Sequence, residues 1–193
     1  MRIFRRIEYN SPVILTFALV SGAVLLLNSW TNGWTNPHLF CVYRSSLLDP
    51  LFYVRIFGHV LGHADWAHYF NNMMFILLLG PLLEEKYGGR TIIYAILLTA
   101  VITAVAHLLL SPSTALLGAS GIVFMLILLA SFTSFSQGNV PLTFILIAAI
   151  YIGNEIISGF TISDNISRMS HIIGGFCGAL FGVSVRPARG RRR

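Results

Sequence analysis

The sequence predicts an all-α polytopic membrane protein, six transmembrane helices in a single domain spanning residues 1–193. Three observations carry that expectation. Composition is the first: 55% of residues are hydrophobic and 10% charged, with a mean hydropathy of +0.76, whereas a soluble domain is about one quarter charged. The second is a series of six apolar segments separated by short polar stretches. The third is where the basic residues stand. Arg2, Arg5 and Arg6 precede the first apolar run, and Arg186, Arg189, Arg191, Arg192 and Arg193 follow the last. The net charge of +6 therefore marks topology and contact with anionic lipid, not nucleic-acid binding.

The first segment, 11–28, is longer than the apolar core of a signal peptide and lacks a clear cleavage site. Residues 29–66 are rich in aromatics, among them Trp30, Trp34, Tyr43, Phe52, Tyr53 and Phe57. That composition suits an element lying at the outward interface. The second segment, 67–83, leads into the charged turn Glu84-Glu85-Lys86-Tyr87-Gly88-Gly89-Arg90, placed in the cytoplasm, and then into the third, 91–110. The fourth, 120–135, opens on Gly118-Ala119-Ser120-Gly121, and 140–157 and 171–185 complete the set. The last is only about 22 Å long at ~1.5 Å per residue, short of a ~30 Å hydrocarbon core. A short helix starts below the membrane surface, and non-helical backbone at that depth has to line a protected, watered cavity. Six spans put both termini in the cytoplasm, and the short basic N-terminus favours a prokaryotic plasma membrane. Cys41 and Cys177 stand far apart and form neither a disulfide framework nor a metal-type pair.

Three polar clusters fall at the outward ends of membrane segments: His59-x3-His63-x4-His68-x3-Asn72, Gly118-Ala119-Ser120-Gly121, and Ser170-His171 followed by Gly174 and Gly175. Singly each has an ordinary structural explanation. Ser120 is a good helix cap, a histidine at an interface is usually a polar anchor, and Gly174, Gly178 and Gly182 at four-residue spacing describe a close helix contact. Together they say more. His171 shares a face with Gly174, Gly178 and Gly182, and the fourth segment offers a matching stripe of Ser120, Phe124, Ile127 and Ser131. Packing those faces brings Ser120 to His171, a nucleophile and its base. Ser120 stands at a helix N-terminus, where free N–H groups favour a developing negative charge. His68 and Asn72, one turn apart, add side-chain donors of the oxyanion-hole kind. Gly118 and Gly121 allow a sharp turn and leave room for a substrate chain. The set suffices for acyl transfer and contains no motif for a metal or cofactor.

These pieces, in this order, resemble the rhomboid intramembrane serine proteases over most of the chain. The resemblance is carried by Arg55 eight residues before His63, His63-x4-His68-x3-Asn72, Glu84, Gly118-Ala119-Ser120-Gly121, and His171-x2-Gly174-x3-Gly178. It implies a Ser120–His171 dyad, an oxyanion site of His68, Asn72 and the Ser120 N–H, and structural roles for Arg55 and Glu84. It further implies the minimal six-span bundle, single-span transmembrane proteins as substrates, and cleavage near the outer face. One chain holds every part, so a monomer suffices. The sequence departs from the family pattern at Phe124, often Tyr, at Val54, usually Trp, and at Asn71, where a bulky apolar residue is expected.

Two other classes compete. Zinc binding by His59, His63 and His68 lacks an HExxH motif and a suitable carboxylate, Asp65 being in the turn. His59 and His63 are expected to order the loop by hydrogen bonding. Transport through the membrane would use His107, Asn154 and Glu155, but it needs polar residues spread through the depth, and here they gather near one face. Glu155 is expected to be solvated or paired with Arg168. A rhomboid-like protein that binds membrane clients without cutting them shares the fold, and the intact dyad argues against it.

Overall fold

The computed structural model describes residues 8–134 and 165–184, with a few backbone positions between 142 and 150. In the last helix, side chains are described from Ile172 onward. The helices are α1 (Pro12–Trp30), α2 (Thr35–Leu39), α3 (Pro50–Gly58), α4 (Trp66–Tyr87), α5 (Gly89–Leu110), α6 (Ser120–Ser134) and α7 (Asn165–Ser184). Among the described residues there is no strand, only an isolated antiparallel bridge between Val42 and Leu116. Most of the fifth predicted segment, 140–157, lies outside the described residues.

The bundle is arranged around α6. Its apolar residues run round the whole helix, and Ile122, Met125, Leu126 and Leu129 are fully buried with Ile14, Ile76 and Ile92 from its neighbours. A helix that is hydrophobic on every side belongs in an interior. The surrounding helices turn large apolar side chains outward: Leu19 and Leu26 on α1, Phe70, Leu78 and Leu82 on α4, Tyr94, Leu98 and Leu109 on α5. A water-soluble monomer does not expose so continuous an apolar surface; lipid is its proper solvent.

Among the described residues, α1 and α5 are long and apolar enough to cross a bilayer, and α6 and α7 contribute shorter apolar stretches, Ser120–Ser131 and Ile172–Gly182. The predicted six spans are thus only partly displayed. α4 is as long as α5, but it carries His68, Asn71 and Asn72 at one end and Glu84, Glu85 and Lys86 at the other.

Two close approaches fix the register. Gly80 of α4 lies against Ile14 of α1, where an added Cβ would come within 2.6 Å of the Ile14 Cδ1. Gly174 and Gly178 of α7 lie against the backbone of Gly121 and Met125 of α6. Both numbers rise together, so α6 and α7 run parallel in backbone contact, as small residues permit in a membrane. The face of α6 that meets α7 is Gly121, Phe124, Met125 and Leu128. That is displaced from the stripe of Ser120, Phe124, Ile127 and Ser131 expected from the sequence; only Phe124 belongs to both. The hydroxyl of Ser131 instead donates back to the Ile127 carbonyl at 2.6 Å.

Glu84 joins the end of α4 to the start of α1. Ser11 precedes α1 but makes no side-chain cap. The buried Glu84 carboxylate accepts from the Val13 and Ile14 N–H groups instead, each at 3.0 Å. A carboxylate from α4 thereby satisfies the unpaired first-turn donors of α1 and complements its dipole.

The segment between α1 and α4 is ordered around Arg55, which is 2% exposed. Its guanidinium donates to Asp49 at 2.7 Å, Ser45 at 2.8 Å and the His38 carbonyl at 3.3 Å, and lies 4.6 Å from the Tyr43 ring centroid. Asp49 also caps α3 by accepting from the Leu51 N–H. The hydrogen bond from Arg55, then that from Leu51, holds the Asp49 carboxyl below its ordinary pKa. On α3, Phe52 and Arg55 point inward, while Val54 and Phe57 are exposed. That outward apolar face is what an element lying in the interface requires.

Candidate active site

The loop of residues 111–119 delivers Ser120 to the start of α6, and neighbouring elements hold it along its length. The ring of His107, buried on α5, bonds the Thr114 carbonyl at 3.1 Å. Leu116 exchanges two backbone hydrogen bonds of 2.9 Å with Val42. The Gly118 N–H donates to the His59 carbonyl at 2.8 Å. Gly118 takes a φ of +122°, open in practice to glycine.

Gly118 is needed for space as well. A Cβ there would come within 2.7 Å of the His68 Cε1 and 2.8 Å of its Nε2, with the Asn72 Nδ2 at 4.0 Å. His68 and Asn72, one turn apart on α4, therefore converge on the turn that precedes Ser120. Asp65 fixes the start of α4 by accepting from the His68 N–H at 2.7 Å, so the expected turn residue is the cap. The Asn72 amide is buried, and its Nδ2 has no partner among the described residues. Five other buried side-chain atoms share that state among the described residues, Ser21 Oγ, Asn36 Oδ1, Arg55 Nε, His63 Nε2 and Thr99 Oγ1. Asn72 is the one set beside the turn that precedes Ser120, and an unpaired buried donor costs about 1–3 kcal/mol.

Ser120 is half-buried and is the first residue of α6. The Val123 N–H bonds the Ala119 carbonyl at 3.0 Å. The N–H groups of Ser120, Gly121 and Ile122 precede that bond and form the electropositive helix start. The side chain of His171 lies outside the described residues; its backbone is in α7, three residues before Gly174. With Gly174 against Gly121, His171 stands about 4.5 Å and Ser120 about 1.5 Å before the contact along parallel axes, at ~1.5 Å per residue. The two positions differ by roughly 3 Å in height. Phe124 is buried, and its ring edge comes within 3.6 Å of where a Gly175 Cβ would stand, next to the same contact.

The remaining histidines have separate tasks. The His59 ring bonds the Ile56 carbonyl at 3.0 Å and the Thr103 hydroxyl at 3.3 Å, and burial pushes it down to about 4. His63 bonds the Leu61 carbonyl at 3.2 Å and meets the His68 ring edge-on at 5.1 Å. Burial, with the charge of His68 second, pushes it down to about 4. Both are therefore neutral hydrogen-bonding groups that order the loop. Among the described residues no three His, Cys, Asp or Glu side chains assemble as a metal site. Asn154, Glu155 and the side chain of Arg168 lie outside the described residues.

Sequence reasoning did not find the clamp on the 111–119 loop. His107, weighed there as part of a transport pathway, is bonded to that loop instead. One signal was present: Thr99, Thr103 and His107 repeat at four-residue spacing, a polar stripe on one face of α5. The Val42–Leu116 pairing has no such signal.

The fold is that of a helical membrane protein in which His68 and Asn72 converge on the turn before α6. The chain belongs to the rhomboid family: the family model for the Rhomboid domain matches residues 51–188. It is also similar to mouse Rhomboid-related protein 4, with 29% identity over 126 residues, 58% of this chain and 40% of that protein. The chain thus spans under half the length of that relative.

Proposed function

We propose that the protein is an intramembrane serine protease that hydrolyses peptide bonds in or near the transmembrane segments of single-span proteins. The observation that carries this reading is the convergence of His68 and the unpartnered Asn72 amide on Gly118, immediately before Ser120. Placed beside a helix start, that amide and the His68 ring are donors of the kind a tetrahedral oxyanion takes.

In this mechanism the Ser120 Oγ attacks the scissile carbonyl carbon while His171 accepts its proton. The carbonyl oxygen becomes an oxyanion, which takes hydrogen bonds from Asn72, His68 and the first N–H groups of α6. As the intermediate collapses, the C–N bond breaks and His171 passes its proton to the leaving amine. Water, activated by the same imidazole, then hydrolyses the Ser120 ester. Val42 occupies one edge of the backbone at Leu116, and in this reading an extended client segment adds to the other. Clients whose helices are weakened by Gly or Pro expose their carbonyls most readily. Six spans, cytoplasmic termini and an outward-facing site in a prokaryotic plasma membrane complete the proposal, and a monomer suffices for it.

The test is reconstitution in proteoliposomes with a single-span client. The wild type is expected to cut it, while Ser120→Ala and His171→Ala leave it intact. Equal cutting by both variants removes the dyad. An intact client with all three proteins, while client binding is retained, favours the non-catalytic client-binding alternative.

A further inference from the structure

A cavity of about 460 Å³ opens between the first halves of α1 and α5. It is lined by Val13, Phe17 and Val20 from α1, Ile93 and Leu97 from α5, and Leu61 from the loop between α3 and α4. That volume lies within the ligand-sized range of about 300–1,000 Å³. Thr16 contributes a hydroxyl to the wall, and it is already bonded to the Tyr9 hydroxyl at 2.9 Å. The lining stretch of α1 from Pro12 to Val20 rises about 12 Å, close to the ~15 Å depth of one leaflet's hydrocarbon.

The mouth is basic. The backbone at Gly89 abuts the Val13 side chain, 3.1 Å from where a Cβ would stand. Arg90 follows it, exposed, on the same helical face as Ile93 and Leu97. The neighbouring Glu84 carboxylate is engaged by the Val13 and Ile14 N–H groups, so its charge is directed into α1. A second helix is a poor occupant. Among the described residues no Gly, Ala or Ser lines the slot, unlike the glycine face that brings α7 against α6, and close helix approach needs such residues.

We propose that this groove holds one acyl chain of an anionic phospholipid of the cytoplasmic leaflet, with its phosphate on the Arg90 guanidinium. A planar guanidinium suits a phosphate through paired N–H···O bonds. The proposal depends on the membrane orientation given above and is independent of the protease reading.

Native mass spectrometry of the full chain, titrated with dioleoyl phosphatidylglycerol or dioleoyl phosphatidylcholine, tests it. The wild type retains one phosphatidylglycerol per chain, with about fivefold preference over phosphatidylcholine, the share expected of one basic residue at an anionic surface. Arg90→Gln keeps one lipid and loses the preference. Leu97→Trp and Val20→Trp fill the slot and lose the retained lipid; both positions are lipid-facing, at 42% and 41% exposure. Leu78→Trp, exposed on α4 away from the groove, retains it. Undiminished retention in both slot-filling variants, with their thermal unfolding unchanged, reduces the observation to annular lipid and overturns the proposal. A dimer in place of the lipid adduct, broken by either slot variant, overturns it in favour of a second copy.

Discussion

Alanine at position 174 tests whether contact between α6 and α7 sets the catalytic geometry. A Cβ on Gly174 overlaps the backbone carbonyl of Gly121, the residue after Ser120. A carbon–oxygen contact needs about 3.3 Å, and neither partner is a flexible side chain, so the helices must part by roughly 1 Å. A misplacement of that size costs on the order of 10²-fold in rate, or about 2.7 kcal/mol of barrier. Overpacking costs about 1–3 kcal/mol of stability in addition. Gly178→Ala is the control, because it overlaps the Met125 carbonyl in the same way but lies four residues, about 6 Å, farther along α7. Initial rates on a fluorogenic single-span client in proteoliposomes, with kcat and KM separated, are compared with thermal unfolding of the same samples. Gly174→Ala is expected to lose kcat well beyond Gly178→Ala at similar loss of stability. A folded Gly174→Ala protein with wild-type kcat refutes the placement of His171 by this contact.

His68→Ala and Asn72→Ala should each lower kcat by about 10²–10³-fold with little change in KM, as oxyanion donors do; unchanged kcat leaves backbone N–H groups as the sole donors. Glu84→Gln replaces one acceptor oxygen by an amide that cannot accept from Val13 or Ile14, and should cost about 1–3 kcal/mol, read as a lower Tm. Acid should also destabilise the fold. His59 and His63 are pushed from 6.5 down to about 4, so the unfolded chain binds protons first as the pH drops below 6.5, and stability falls until the folded state titrates near 4. At pH 5 each contributes about 2 kcal/mol of lost stability. His63→Gln should flatten the dependence of Tm on pH, and an unaltered slope shows that another group carries it.

The candidate site was legible in the sequence where its parts are local. His68 and Asn72 share a face because they are one turn apart, and the Gly174–Gly178 repeat announces a close contact without naming the partner. What escaped depends on position in space. The α6 face toward α7 is turned from the expected stripe because glycine contact is made backbone to backbone, at Gly121 and Met125, and not through the longer side chains that define a hydrophobic pattern. The clamp on the 111–119 loop escaped because a single bridged pair, Val42 with Leu116, leaves no periodicity. Glu84 was recognised as structural, but its partner could not be read: its acceptors meet the bare N–H groups of α1, and backbone donors carry no sequence signature. Helix α4, as long as α5, carries polar residues at both ends, where Asn72 and His68 meet Gly118 and Glu84 caps α1.

The proposed nucleophile is Ser120, made reactive by His171. Labelling of the reconstituted protein with a fluorophosphonate probe, followed by peptide mapping, examines that claim most directly. A single adduct on Ser120, abolished by His171→Ala, is the predicted result. An adduct that persists in Ser120→Ala, or labelling of Ser120 at the wild-type rate in His171→Ala, contradicts it.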